Sequence, residues 1–376
     1  MVQEFNGANL RIARRSNDFA LADVANHVDV SRQFIHRLEV GRDSPNPDLA
    51  EKLASTLHVY PEFFFDKSLS VLPEEIFHFR RLATTKVAVR ESVRAKGDLF
   101  HKFVLAIDSR VLLPPVSFPA IDAGTTNDIE RATETCRSEW GLGLGPIDNM
   151  IRVAENAGAV VTTFRGVSSQ VDALSIPARR PVIVINDEKG SACRIRFDIG
   201  HEIGHLVLHE GRVTGDRVSE SEANRFASAF LVPRSSFVKE FPKIIGPRLP
   251  WKELIRMKLR WKVSKAALIY RAHQLELLDD GTFKRWLLAL YKEGEKTGER
   301  EDKQIQHEQP ELIGNSVRYV EKALGQDVIA IGKSIGLREK LLEQFLPINF
   351  FSSVNQLVPP ENSVKIFNLQ DYRRPV

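Results

Sequence analysis

Hydrophobic positions follow helical spacing over the first part of the chain. Between residues 6 and 66, apolar side chains recur three and four positions apart, which predicts several short amphipathic helices. The run Asp-Ser-Pro-Asn-Pro at 43–47 breaks this pattern. From residue 73 to about residue 113 the spacing continues as one charged amphipathic helix. We therefore expect a small helical domain at 1–66, followed by a helical connector at 67–125.

The pattern changes in the middle of the chain. Two β-rich runs, 159–164 and 181–186, each lie near a helical pattern and predict a small sheet within a mixed domain at 126–280. Helical spacing then returns, and the charged stretch 292–309 is expected to be an exposed linker or a solvated helix face. Residues 281–376 are predicted to form a mostly helical accessory region. The expected fold is multidomain and mainly α, with an α+β core.

The composition is typical of a folded protein without a membrane-spanning segment. The 376 residues are 43% apolar and 27% charged, and a chain of this length usually forms more than one domain. No run of 18 apolar residues occurs, and the first seven residues lack the pattern of a signal peptide. The 2 cysteines are too few for a disulfide framework. We expect a cytoplasmic protein that does not contact a membrane.

A helix-turn-helix pattern occupies residues 21–41. It places one helix at 21–28 and a second at 32–38, with a turn at Asp29-Val30-Ser31. Ser31 is a good N-cap for the second helix, and Gly41 is a natural terminator. The polar face of the second helix is expected to point outward, as in a recognition helix that contacts base edges and phosphates. The candidate DNA-binding residues are Ser31, Arg32, Gln33, His36 and Arg37.

This segment resembles the lambda-repressor-like XRE family. The resemblance rests on Asn9-Leu10-Arg11, Leu21-Ala22-Asp23-Val24-Ala25, Val30-Ser31, Ile35 and Glu39-Val40-Gly41. It implies binding to a double-stranded DNA operator, with Arg32, Gln33 and His36 at base-reading positions. It also implies a homodimer that covers two half-sites.

The charge of the segment does not by itself favour DNA. Residues 1–66 hold 7 lysines and arginines against 10 acidic residues, whereas residues 67–110 hold 9 against 5. Attraction to phosphates is therefore expected to be local, or to be assisted by the connector. The alternative is a helical domain that makes protein contacts only.

Residues 201–205 have the sequence His-Glu-Ile-Gly-His, which is the H-E-x-x-H pattern. On one helix, His201 and His205 lie one turn apart on the same face, so both imidazoles can bind one divalent ion, with zinc as the default. Glu202 lies about 100° further round the helix, where it can accept a proton from a water molecule at the ion. Glu202 is the candidate general base.

A catalytic zinc site needs a third protein ligand and an open position. His209 lies about 12 Å along the helix axis from His201, which is too far for both to bind one ion. The metzincin class is excluded because Gly211 stands where its third histidine would be. The third ligand must therefore come from elsewhere in the chain.

A second amphipathic helix is predicted at 219–233, with two glutamates near its start. Glu220 shares a face with apolar positions further along this helix, and Asn224 lies one turn on, where it can orient a ligand. Glu222 also lies near an apolar edge. Spacing alone favours Glu220 slightly and leaves Glu222 open.

The two predicted helices together resemble the ImmA/IrrE family of zinc metallopeptidases. The resemblance rests on Arg196-Phe197, residues 201–209 and Glu220-x-x-Ala223-Asn224-x-Phe226-Ala227-x-x-x-Leu231-x-Pro233, with 171–175 and 182–186 similar to the preceding strands. It implies a gluzincin-like fold with Glu220 as the third zinc ligand. Residues 270–275 resemble the helical extension of the family, and Tyr270 or His273 is a candidate for oxyanion stabilisation by role.

Two functions of different classes follow. The first is a DNA-binding transcriptional regulator whose zinc endopeptidase domain cleaves a protein. The resemblance implies a repressor substrate, often itself helix-turn-helix, in stress response or mobile-element control. The second is a non-proteolytic transcription factor whose zincin-like domain senses a ligand or metal. A toxin–antitoxin or phage-defence component would use the same chemistry, and the sequence does not separate it from the first two.

Overall fold

Helices dominate the fold, and a small sheet separates two groups of them. The computed structural model describes residues 4–67, 78–79, 87–164, 173–186, 190–243 and 248–346, with the backbone alone at 78–79. The helices of this part of the chain are α1 Gly7–Ser16, α2 Leu21–His27, α3 Arg32–Glu39, α4 Pro47–Thr56, α5 Val87–Asp108, α6 Thr126–Glu139, α7 Met150–Asn156, α8 Ala192–Leu208, α9 Arg217–Leu231, α10 Arg234–Glu240, α11 Trp251–Trp261, α12 Lys265–Gln274, α13 Asp280–Lys292, α14 Leu312–Leu324, α15 Val328–Ser334 and α16 Glu339–Leu342. The strands are β1 His78–Phe79, β2 Val160–Thr163, β3 Ala173–Ile176 and β4 Val182–Ile185. The predicted fold class is confirmed.

None of the helices in the described ranges is long and apolar enough to span a bilayer.

The first four helices form the predicted helix-turn-helix unit. The Ser31 hydroxyl accepts a hydrogen bond from the Phe34 amide (3.1 Å) and begins α3, and Gly41 follows its end with φ +72°. Both residues therefore have the predicted roles at the ends of this helix. The buried Arg14 of α1 binds Glu39 of α3 through two hydrogen bonds of 2.5 and 2.9 Å. This ion pair fixes α1 against α3.

The predicted connector helix is confirmed only in part. Helix α5 is Val87–Asp108, and His78–Phe79 forms strand β1, so the predicted helix is wrong at those two positions. Arg80, Arg81 and Lys86, which were expected on this helix, lie outside the described residues.

Two connector lysines neutralise acidic groups of the helix-turn-helix unit. Lys96 Nζ lies 3.0 Å from Asp18 Oδ2, and Lys102 Nζ lies 2.5 Å from Asp66 Oδ2. The Lys96 side chain is only 3% exposed. Carboxylates of the same chain therefore neutralise these two lysines. The attraction of DNA phosphates that was expected from the connector does not come from them.

The sheet has the order β1-β3-β4-β2, in which β2 is parallel to β4 and the other pairs are antiparallel. Side chains alternate across it. One face packs with the helix-turn-helix unit, α5 and α14–α16, through Val160, Leu174, Ile176, Val182 and Val184. The other face packs with α6–α13 through Val161, Ile183 and Ile185. The sheet is thus the wall between two hydrophobic cores.

Most of the charged stretch 292–309 is exposed, as expected, but four of its carboxylates are buried or nearly so. Its carboxylates surround two buried lysines: Lys258 binds Glu299 (2.6 Å) and Asp302, and Lys265 binds Glu295 (2.7 Å) and Glu301 (2.6 Å). The sequence pattern did not show these pairs because the two lysines lie on α11 and at the start of α12, at least 30 residues earlier.

The helices after this stretch return to the N-terminal unit. The Tyr60 amide donates to the Gly336 carbonyl (2.9 Å), and the Arg338 amide donates to the His58 carbonyl (3.0 Å). The division into 1–66, 67–125, 126–280 and 281–376 stays a prediction. Residues 347–376 of the last region lie outside the described residues.

Candidate metal centre

The site lies where α8 packs closely on α9. A Cβ atom at Gly204 would lie 3.1 Å from Phe226 Cβ and 3.2 Å from Ala223 Cα, so a glycine here lets the two helices approach. Asp216 caps α9 by accepting a hydrogen bond from the Val218 amide (2.7 Å). The cap places Glu220 in the first turn of α9, facing α8.

Three side chains meet between these helices. His201 Nε2 and His205 Nε2 lie 3.0 Å apart, and each lies 3.4 Å from an oxygen of Glu220. Both histidines are at most 1% exposed. Among the described residues, this is the group whose ligand atoms all lie within 4.8 Å of one another. Of the two glutamates that the sequence left open, the structure places Glu220 in this group.

The donor atoms fit a zinc ion. Asn224 Oδ1 lies 3.1 Å from His201 Nδ1, and because an amide oxygen only accepts, the proton sits on Nδ1 and the lone pair of Nε2 faces the group. Two imidazole lone pairs that face each other at 3.0 Å repel unless a cation lies between them. Ligand atoms bound to tetrahedral zinc at 2.0–2.1 Å lie about 3.4 Å apart, close to the distances seen here.

His209 and Glu222 continue the arrangement behind His205. His209 Nε2 lies 2.9 Å from Glu222 Oε2, so this nitrogen donates to the carboxylate. His209 Nδ1 can then accept from His205 Nδ1 at 3.0 Å, which leaves the Nε2 lone pair of His205 toward the ligand group. The predicted place of His209 outside the ligand set agrees with this geometry. Glu222 serves His209 in this arrangement.

The electrostatics favour ligands that are ready to bind a cation. Burial lowers the pKa of His205 to about 4, so its imidazole is neutral at pH 7. Two imidazole lone pairs and the Glu220 carboxylate therefore face the same point.

Glu202 lies beside this group and is completely buried. Its Oε2 accepts a 2.6 Å hydrogen bond from the hydroxyl of Ser175 on β3. Ser175 has its register partner at Ile183, so it lies on the sheet face that packs against α8. Sequence reasoning did not select Ser175 as a site residue. The one available signal was a hydroxyl group within the otherwise apolar strand Ala-Leu-Ser-Ile.

Tyr270 and His273 have contacts on α13. His273 Nε2 lies 2.7 Å from Asp280 Oδ1, and its ring stacks on Phe283 with centroids 4.2 Å apart. The ring of Tyr270 also contacts Phe283, at 5.1 Å. Their suggested part in oxyanion stabilisation stays a prediction.

The candidate DNA-binding residues lie together on the exposed face of α3. Arg32, Gln33 and His36 are exposed. Arg37 pairs with Asp43 (2.5 Å) and lies over the Phe34 ring. The Ser31 hydroxyl is used by the helix cap.

Comparison with known families finds one match over the helix-turn-helix unit and one over the domain that holds the metal centre. The family model described as helix-turn-helix matches residues 10–64. The model of the M78 peptidases, described as the IrrE N-terminal-like domain, matches residues 154–273. No curated protein is similar enough to count as a match. The chain therefore joins an XRE-type helix-turn-helix domain to an IrrE/ImmA-like peptidase domain, which supports a regulator with a protease-like domain.

Proposed function

We propose that this protein is a DNA-binding transcriptional regulator that cleaves a protein substrate with a zinc-dependent endopeptidase site. The observation that carries the proposal is the facing pair of Nε2 atoms of His201 and His205, 3.0 Å apart, closed by Glu220. Glu202, completely buried, stands beside them. Metal-assisted hydrolysis needs metal ligands and a general base, and α8 carries two ligands with the base between them in sequence.

Each residue has a definite task in this reaction. A zinc ion held by His201, His205 and Glu220 would polarise the scissile carbonyl group and make water more acidic. Glu202 accepts the proton of the attacking water and passes it to the leaving amine nitrogen. Ser175 holds the Glu202 carboxylate by its hydrogen bond, and Asn224 holds the His201 ring.

The helix-turn-helix domain directs the regulator to its DNA operator. Arg32, Gln33 and His36 on the exposed face of α3 contact bases and phosphates of an operator, and a homodimer covers its two half-sites. We propose a repressor-type protein as the substrate, in stress response or mobile-element control, as the resemblance to ImmA/IrrE peptidases implies.

The test compares the wild-type chain with Glu202→Gln. Both proteins are expected to hold about one zinc ion per chain, because residue 202 is not a ligand. Each is then produced in the same cells, and new protein N-termini are identified by mass spectrometry. We expect N-termini that depend on Glu202, and purified zinc-loaded protein should generate the same ones in vitro. Equal cleavage by both proteins would defeat the assignment.

A second candidate function has an observation in its favour. The sheet contacts the core of the helix-turn-helix unit on one face and α8 on the other, so a change at the ligand group can reach the DNA-binding unit without proteolysis. This sensor hypothesis predicts that zinc changes the operator affinity of Glu202→Gln. If the operator affinity is independent of zinc and the wild type cleaves a protein, the sensor hypothesis is rejected and the peptidase function is retained.

A further inference from the structure

Strand β1 lies along the sheet edge next to the candidate base. In the antiparallel pairing of β1 with β3, His78 lies opposite Ser175 and Phe79 opposite Leu174. Ser175 is the residue whose hydroxyl binds Glu202. The other edge of β3 is taken by β4, so the pairing with β1 occupies the edge of β3 that would otherwise be open.

The pairing of β1 with β3 is not needed to connect the helix-turn-helix unit to α5. The Asp66 carbonyl accepts a hydrogen bond from the Asn9 side chain (2.8 Å), and Glu91 pairs with Arg11 (3.0 Å). Asn9 and Arg11 are two positions apart on α1, so Asp66 and Glu91 contact neighbouring positions of the same helix. Between these two residues the chain pairs with a strand of the peptidase domain, at a cost in conformational entropy that a direct link would not have.

The edge of β3 has the chemistry of a peptide-binding site. An open strand edge presents N–H and C=O groups, and an extended peptide binds such an edge by adding a strand. A peptidase has to hold the backbone of its substrate beside its base, and at Ser175 this edge reaches Glu202. We propose that the β3 edge at Ser175 is where an extended peptide docks, and that His78–Phe79 occupies it as an intramolecular competitor.

This inference rests on the proposed peptidase function and adds its regulation. Pairing through the backbone depends little on sequence, so the connector and an unrelated peptide compete for the same groups. The connector has the advantage of its tether, which gives it a high effective concentration. A two-residue pairing is also short enough for a peptide, or for a movement of the attached helix-turn-helix unit, to displace it.

The test measures peptide binding rather than cleavage. The parent is the full chain with Glu202→Gln and zinc, so that bound peptide stays intact. To it we add either H78P/F79P, which removes backbone N–H donors from β1, or the matched control H78A/F79A, which keeps them. The probe is a fluorescein-labelled peptide with the sequence of residues 74–83, and its binding is followed by fluorescence anisotropy.

We expect the proline variant to bind this peptide at least 10-fold more tightly than the alanine variant and the parent. Hydrogen exchange of the segment 173–176 should be faster in the proline variant and slow again once peptide is added. Equal peptide affinity of the proline and alanine variants would overturn the proposal. So would a gain of affinity of the same size in both.

A measurement on the unaltered chain covers the case in which the proline variant does not fold, as judged by its zinc content and helical circular dichroism. The amides of residues 78–79 should then exchange far more slowly than in the free peptide, and exchange at the free-peptide rate would overturn the proposal. The outcomes also separate the two proposals. If the proline variant binds the peptide tightly but no variant or wild-type protein cleaves a substrate, the docking edge is retained and the peptidase function is rejected.

Discussion

The hydroxyl of Ser175 donates a 2.6 Å hydrogen bond to Oε2 of Glu202, and this bond joins the sheet to the candidate catalytic helix. Both side chains are fully buried. A carboxylate with a donor on one oxygen has a fixed orientation, so the other oxygen points in one direction. Position 175 therefore controls how accurately Glu202 meets an attacking water.

Replacing Ser175 by alanine is expected to lower kcat by roughly 10- to 100-fold, the usual cost of losing a group that orients an active-site side chain. KM and zinc content should change little, because Ser175 does not belong to the ligand group. Ser175→Thr is the matched control, since it keeps the hydroxyl, and should retain most of the activity. The check is a kcat and KM measurement on the substrate found by comparison with Glu202→Gln. An alanine variant as fast as the threonine variant would show that the bond does not position the base.

Glu220→Ala and Glu222→Ala are expected to differ in zinc binding. Glu220 completes the ligand group, so its removal should abolish stoichiometric zinc. Glu222 binds His209, which in turn binds His205, so its removal should weaken zinc roughly 10-fold and leave about one ion per chain at saturation. Elemental analysis after dialysis and a competition titration with a chelator measure both effects. Loss of zinc from the Glu222 variant alone would reverse the two roles.

The ligand residues could be predicted because their relation is local. The spacing of His201 and His205 on one helix is fixed by helical geometry, and the resemblance selected Glu220. The contact of Ser175 with Glu202 could not be predicted in this way. It depends on the register of β3 against β4 and on the packing of α8 on one face of the sheet. Neither can be deduced from the local spacing of hydrophobic residues.

The same limit explains one error of the sequence interpretation, at 78–79, and one set of ion pairs that it missed. His78–Phe79 lies in a stretch with helical spacing, but it pairs with a strand almost one hundred residues later. The acidic residues of 295–302 look solvated until their partners Lys258 and Lys265 are known. Long-range pairing overrides local pattern in both cases.

Gln33→Ala is expected to weaken binding to the selected operator by roughly 5- to 150-fold, since a bidentate contact of glutamine with adenine is worth about 1–3 kcal/mol. Binding to unrelated DNA should change little, because that binding depends on phosphates. The control is Lys52→Ala, an exposed residue on α4 rather than on α3. Operators selected from a random DNA pool and titrated at fixed salt give the comparison. The same operator preference and affinity in Gln33→Ala would remove α3 from base recognition.

Glu155 gives a prediction about pH. Its Oε1 accepts hydrogen bonds from the Glu311 and Leu312 amides, both 2.9 Å, at the start of α14. Burial nevertheless raises the pKa of Glu155 to about 7, although these amides and Arg152 oppose the rise. Glu155 therefore ties α7 to the helices that pack on the connector, through a carboxyl group that titrates near neutrality.

The sign of its effect on stability follows from proton binding. Between the unfolded pKa of 4.5 and about 7, the folded protein keeps a proton that the unfolded chain has released, so the free energy of unfolding falls as pH rises through this window. The fall amounts to roughly 3 kcal/mol at 1.36 kcal/mol per pKa unit, and it is complete above about pH 8. Glu155→Gln keeps a carbonyl acceptor for the two amides and has no proton to lose. The wild type should therefore lose stability relative to Glu155→Gln from pH 5 to 8 in urea unfolding, whereas the exposed control Glu321→Gln should follow the wild type throughout. Parallel stability curves for wild type and Glu155→Gln would mean that Glu155 is ionised across this range, and that its hydrogen bonds outweigh its burial.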